Sequence, residues 1–264
     1  MRLGVIGLGL MGASFAEALH RNRPAIEIVG IDSDPATLAT ALERGIIREP
    51  GVEGADVIML AVPPQAVRDL LPNLPRTALV TDMASTKARI MLWAAESGVD
   101  FVGGHPMCGR ELSGIDAADP SIFQDAPWVL TRVDSRIEDL VRAVGSYPIV
   151  MDADRHDRLV AAVSHSAFVL SAAYALAVAG SREWPEMAKL ASSGFRDMTR
   201  LAAGSAEMYA GIAATNAENV VEWLLLIEQQ VAKLRRHIES GDPRLAELFE
   251  EAREKREQWL DGQR

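Results

Sequence analysis

Apolar residues follow two rhythms along this chain, and the change between them falls near Asp152. Before it, short apolar runs alternate with segments of helical period. Residues 3–6 form a run of the kind that a strand buried on both faces requires. Residues 13–20 continue at helical period, with Phe15, Ala16 and Leu19 on one side, and 26–31 are a second apolar run. The pattern predicts a helix over 35–44, with Asp34 as its N-cap and Gly45 as its stop. Further strands are predicted at 56–62, 78–83, 101–103, 128–131 and 149–151, and helices at 65–71, 86–97 and 136–144. Strands alternating with helices predict an α/β fold, a mainly parallel sheet covered on both faces.

After Asp152 the pattern predicts no strand. It predicts one long helix over 156–179, shorter pieces at 187–190 and 196–201, and a second long helix over 207–238. In the last of these, Val220, Val221, Leu224, Ile227 and Val231 are apolar at three- and four-residue steps. An amphipathic tail helix over 243–259, rich in Glu and Arg, follows, with Asp242 as N-cap. The chain thus divides into a dinucleotide-binding part, 1–152, and an all-helical part, 153–264. Helices this long and apolar are hard to cover in a half of this size, which predicts a homodimer through the helical part. The most apolar stretch, 160–179, contains His165 and several Ser and Ala residues, and reads as a buried helix and not as a membrane span.

Composition narrows the partners. With 264 residues, 48% of them apolar, the chain can bury a real core, and a net charge of −10 argues against nucleic acid. An anionic substrate would then need cations supplied locally. Cys108 is the one cysteine, so no internal disulfide is possible and a reducing, cytoplasmic setting is expected. The opening apolar run has glycines spaced for a turn, is interrupted by Glu17, and lacks a cleavage pattern, so no signal peptide is expected.

The candidate chemistry begins at Gly7, Gly9 and Gly12, spaced G-x-G-x-x-G between the first strand and a helix. Gly7 permits a sharp turn, Gly9 admits a pyrophosphate to the backbone, and Gly12 lets helix and strand pack closely. The helix N-terminus offers unpaired N–H groups to the anion, making Gly7, Leu8, Gly9, Leu10, Met11 and Gly12 the expected contact. Asp32 ends the second strand, where it can accept hydrogen bonds from a ribose and repel a 2′-phosphate. Asp34 adds a second negative charge, and no Arg or Lys follows until Arg44. The expected cofactor is therefore NAD and not NADP, with Ser33 the one residue that softens this.

Three more features follow predicted strands. Ala61, Val62 and Pro63, with Pro64, either pass close to the cofactor or merely end a strand. Ser85, within Asp82-Met83-Ala84-Ser85-Thr86-Lys87, either caps the next helix or aims its hydroxyl into the cleft, and both can hold. His105, between Gly103-Gly104 and Pro106, is held on a rigid turn at a strand end, where the balance shifts toward catalysis. No metal is expected.

With Gly104-His105-Pro106-Met107, Ser164-His165, and Asp197-Met198-Thr199-Arg200 in that order after the glycine turn, the chain resembles the prephenate and arogenate dehydrogenases of tyrosine biosynthesis. The resemblance covers most of the chain. It implies a Rossmann-type doubly wound domain followed by an all-helical dimerisation domain, and NAD-dependent oxidative decarboxylation of prephenate, arogenate or both. It implies His105 as the catalytic histidine that accepts the substrate's hydroxyl proton. Ser85 would bond that hydroxyl or orient the histidine, and Arg200 would bind a substrate carboxylate. Arg196 is expected to be the more exposed of the two arginines. Ser164 and His165 match a family Ser-His and join the substrate-binding set, although His165 reads nearly equally as a core histidine.

The departures are Phe168 in place of a second histidine, Gly204, Ser205, Ala206 and Tyr209 after the arginine, and Arg110 and Cys108 near His105. They leave prephenate and arogenate undistinguished. With no length for a regulatory domain, any tyrosine inhibition is expected to be competitive. The rival readings are a β-hydroxyacid-type dehydrogenase and a non-catalytic NAD-binding regulator.

Overall fold

The computed structural model of the chain describes residues 1–110 and 112–262. Five strands, β1 (Arg2–Ile6), β2 (Glu27–Ile31), β3 (Val57–Leu60), β4 (Leu79–Asp82) and β5 (Asp100–Val102), run parallel in the order β2-β1-β3-β4-β5. Alternate residues of β3 feed two cores. Val57 and Met59 join Phe15 and Leu19 on one face, and Ile58 and Leu60 join Val80 and Phe101 on the other. Burial on both faces is why these strands read as unbroken apolar runs. The intervening helices are α1 (Leu10–Asn22), α2 (Pro35–Glu43), α3 (Pro64–Leu70) and α4 (Ala88–Ser97). Asp34 caps α2 as expected, accepting the Ala36 and Thr37 N–H groups at 3.1 and 3.2 Å. Strand order turns outward in both directions from the β1–β3 pair, so the loops after these strands part and leave a crevice between them.

Three strands differ from the expected single sheet. Residues after Val102 leave the parallel sheet, and β6 (Gly104–Pro106) opens a second sheet with β7 (Pro127–Leu130) and β8 (Tyr147–Val150), in the order β6-β7-β8. β6 runs antiparallel to β7, with His105 opposite Val129. The cause is local: the Gly104 N–H donates to the Asp82 carboxylate at 2.8 Å, and a Cβ on Gly104 would fall 2.5 Å from the Asp82 carbonyl. The helix α5 (Ser135–Ala143) lies between β7 and β8. Phe15, Phe123 and Trp128 pack together, Phe15 lying 5.7 Å and Phe123 5.5 Å from Trp128 between ring centroids.

From Asp152 onward the described residues are helical: α6 (Ala153–Val160), a π-helical turn (Ala161–His165), α7 (Ser166–Ala179), α8 (Trp184–Leu190), α9 (Ser193–Thr199), a 3₁₀ turn (Arg200–Ala203), α10 (Ala206–Thr215), α11 (Ala217–Ser240) and α12 (Arg244–Asp261). A first compact unit runs from Met1 to Val220 and a second begins at Val221. The two long helices expected from periodicity both carry irregularities. The first starts at Ala153 and contains the π turn. The second is broken at Asn216, whose buried amide donates to the Asp157 carbonyl at 2.8 Å and lies 3.1 Å from His165 Nδ1. Pairing those two buried acceptors outweighs an unbroken helix.

The run Ala153–Ala179 is long and apolar enough to cross a membrane, and a third of its most apolar window is buried. The expected buried helix is thus only partly so, and Leu176 and Leu190 of the first unit are exposed. In the second unit Val231, Ile238, Phe249 and Trp259 are exposed too, while Asp242 accepts the Arg244 N–H at 3.0 Å at the head of α12.

Burial lowers the His165 pKa from 6.5 to about 4, the Asp157 charge opposing and His156 adding to the shift. Between those values the unfolded chain takes up a proton that the folded chain refuses. Stability therefore falls as the pH drops from the unfolded value toward about 4. Urea unfolding of the protein and of His165→Leu across this window should differ by on the order of 3 kcal/mol in pH-dependent stability. Parallel pH curves for the two would contradict it.

Candidate active site

The glycine turn is shaped by contact. Gly7 has φ +91°, and a Cβ there would lie 2.4 Å from the Ala61 carbonyl. A Cβ on Gly12 would lie 1.9 Å from the Gly7 carbonyl, whereas one on Gly9 would meet no atom within 4 Å. Gly7 and Gly12 therefore let the backbone close up, and Gly9 leaves open space over the turn. Gly9 is also the N-cap of α1 and supplies no side-chain cap, so the first N–H groups of the helix face that space. A pyrophosphate fits this cradle. Asp32 holds the turn from the side, its carboxylate accepting the Leu8 N–H at 2.7 Å and the Asp34 N–H at 2.9 Å.

In front of the turn lies a cavity of about 840 Å³. Of the residues singled out by sequence, Gly9, Leu10, Met11, Ala61, Val62, Pro63, Ser85, His105, Ser164 and Arg200 line it. Gly7, Leu8, Gly12 and Asp32 stand behind the wall and shape it. His165 is 1% exposed and is not part of the wall; its Nδ1 faces Asn216. Arg196, outside the wall, has a side chain 77% exposed and lies 3.9 Å from Asp197. Glu111 lies outside the described residues.

The turn after β4 places Ser85. Asp82 is fully buried, and its carboxylate accepts from Gly104 N–H at 2.8 Å, from Ala84 N–H at 3.1 Å, and from the Lys87 ammonium. Burial pushes the Asp82 carboxyl up and the fully buried Lys87 ammonium down, and their mutual attraction opposes both shifts. Ser85 does not cap α4, contrary to one sequence reading. The helix starts at Ala88, and its first N–H groups go to Asp157: Lys87 N–H to Oδ1 at 2.8 Å and Ala88 N–H to Oδ2 at 2.9 Å. Ser85 is left on the cavity wall.

His105 is 8% exposed at the wall. Its Nδ1 lies 2.8 Å from His156 Nε2, and His156 Nδ1 lies 2.8 Å from Asp157 Oδ1. Burial, with the charges of His156, Lys87 and His165 adding to it, holds the His105 pKa well below the ordinary 6.5. The neutral imidazole is thus the form present near neutral pH.

Sequence reading missed His156 and Asp157. The signal available was an adjacent His-Asp near the start of a helix, in a chain with five histidines. It also missed that Phe168 and Tyr209, two of the departures, stack with ring centroids 4.0 Å apart and both line the cavity. Arg110 lines the cavity as well, donating to Asp119 at 2.6 Å. Among the described residues no carboxylate lines it, in a protein of net charge −10. Burial pushes the Cys108 thiol on the same wall up to about 12, so it is not a ready nucleophile.

Comparison with known proteins agrees with this arrangement. The family profile described as prephenate dehydrogenase, nucleotide-binding domain, matches residues 15–147, and that described as prephenate dehydrogenase, dimerization domain, matches residues 152–251. A prephenate dehydrogenase of Lactococcus lactis is 33% identical over 269 residues, covering 96% of this chain and 76% of that one. The crystal structure of Synechocystis arogenate dehydrogenase aligns with a TM-score of 0.79 at 32% identity, covering 98% of this chain and all of that one. The prephenate dehydrogenase of A. aeolicus, in complex with hydroxyphenyl propionate and NAD⁺, aligns with a TM-score of 0.90 at 26% identity, covering 98% of each chain. A dinucleotide-binding Rossmann-type domain followed by a helical one, carrying both family profiles over most of its length, makes this chain a member of the prephenate dehydrogenase family.

Proposed function

We propose that this chain is an NAD-dependent dehydrogenase of tyrosine biosynthesis that oxidises and decarboxylates prephenate to 4-hydroxyphenylpyruvate, arogenate to tyrosine, or both. The observation that carries the reading is that His105, Ser85 and Arg200, distant in sequence, line one cavity with the open glycine turn. NAD, when bound at that turn, supplies the hydride acceptor. Asp32 then suits the adenosine ribose and disfavours a 2′-phosphate. His105 takes the proton of the ring hydroxyl as the carbinol carbon is oxidised, and the ring carboxylate leaves as CO₂ while the ring becomes aromatic. Ser85 holds the same hydroxyl or steadies the imidazole. Arg200 pairs with a substrate carboxylate, and the absence of acids from the described wall lowers the cost of admitting an anion to an acidic protein.

The proposed working division is residues 1–152 for the dinucleotide and 153–264 for substrate and dimerisation. The exposed apolar residues of the helices support a homodimer, whose second copy would cover them. The single cysteine, which can form no internal disulfide, supports a cytoplasmic setting. A β-hydroxyacid-type chemistry or a regulator without turnover gives no role to His105, Ser85 and Arg200 together.

NADH formation with prephenate and with arogenate, offered separately, tests the reading; turnover of neither would refute it. His105→Asn should lower kcat by roughly 10²–10⁴-fold with little change in NAD⁺ affinity. Near-normal turnover would remove His105 from the mechanism. Because His105 resists protonation, the acid limb of kcat/KM against pH should lie below about 6.5. A limb above that value would contradict a buried neutral base. Arg200→Ala should raise KM more than it lowers kcat, by the equivalent of about 1.5–3 kcal/mol, and an unchanged KM would count against the assignment.

A further inference from the structure

We propose that His156 and Asp157 are positioning residues that fix His105 in the tautomer protonated on Nδ1, so that Nε2 meets the cavity as a bare acceptor. The proposal rests on the reading of His105 as the base. Its logic starts at the backbone. Asp157 is 1% exposed, and its two oxygens accept the Lys87 and Ala88 N–H groups at the head of α4. Both oxygens are thereby acceptors at a helix N-terminus. With both oxygens accepting, His156 Nδ1, 2.8 Å from Oδ1, is the donor to it. Of the two His156 nitrogens, Nδ1 is then the donor and Nε2 the acceptor. His105 Nδ1, 2.8 Å from that atom, must therefore carry a proton, and His105 Nε2 is left with its lone pair.

The array is not a conduit to solvent. His156 is 1% exposed like Asp157, so a proton sent along it would end in the interior. Nor does capping α4 account for the histidine: Asp157 serves the helix without it. The His156 ring stands at 81° to His105 with centroids 5.1 Å apart, and both of its nitrogens are engaged. Its role is to transmit the orientation of a backbone-held carboxylate to the base. When His105 takes the hydroxyl proton, the Asp157 charge lies one ring away to balance it.

The test uses the full chain labelled with ¹⁵N-histidine, read without substrate by long-range ¹H–¹⁵N correlation near pH 7.5, with His105→Asn to assign the resonance. The expected result is a neutral His105 protonated on Nδ1, the reverse of the form that histidine favours in water. In His156→Leu, which removes the acceptor, His105 should revert to the Nε2-protonated form and kcat should fall roughly 10²-fold or more. KM and NAD⁺ affinity should change by no more than about threefold in that variant. His156→Gln keeps an acceptor and should retain the tautomer and recover most of the lost kcat. A wild-type His105 protonated on Nε2 would overturn the proposal. So would a folded His156→Leu protein, judged by circular dichroism and NAD⁺ binding, with unchanged kcat. If His156→Leu does not fold, the wild-type resonance and His156→Gln still decide. Failure to turn over either cyclohexadienol would refute the functional reading and leave the tautomer measurement standing.

Discussion

The carboxylate of Asp157 is the point on which the cavity depends. It comes from the middle of α6, and both oxygens are committed to main-chain N–H groups at the start of α4, after the strand that carries Asp82. The Asp157 carbonyl accepts from Asn216. One residue thereby ties the sheet, the first long helix and the break between α10 and α11 to a common reference. A buried carboxylate is costly to desolvate, and here the cost is offset by the partial positive charge of a helix N-terminus and by an imidazole N–H. The turn bearing Ser85 and the strand bearing His105 inherit their positions from this arrangement.

A second buried charge reinforces the first. The Asp82 carboxylate joins the end of β4 to Gly104 and to the Lys87 ammonium, so β6 leaves the parallel sheet at a fixed angle and carries His105 to the cavity wall. Lys87 is near enough to depress the His105 pKa further. The acidic surplus of the chain is kept off the described wall, where the ionisable groups are His105, Cys108, Arg110, Arg200 and Tyr209. That distribution gives an acidic protein a pocket suited to an anion.

Features set by neighbours in sequence were legible before the structure. The strands of the parallel sheet, the glycine turn and the Asp34 cap are written in the spacing of neighbouring residues, and each lies where periodicity and turn chemistry put it. Features set by partners far away were not. Ser85 has the residue type of an N-cap, but a carboxylate from 69 residues beyond Ala88 takes the helix N–H groups instead. Asn216 interrupts a run whose apolar spacing is helical throughout, because two buried acceptors lie beside it. The stack of Phe168 on Tyr209 joins two departures that looked independent in the text of the sequence. His156 attracted no notice because an imidazole gains meaning only from what its two nitrogens face.

We infer that one cavity presents an imidazole acceptor and a guanidinium to the two ends of a single ring-bearing anion over the dinucleotide turn. A crystal structure of this chain with NAD⁺ and a 4-hydroxyphenyl carboxylic acid would test it most directly. The phenolic oxygen should lie within hydrogen-bonding distance of His105 Nε2, with a carboxylate paired with Arg200. A ligand bound with its phenolic oxygen away from His105, or bound outside this cavity, would contradict it.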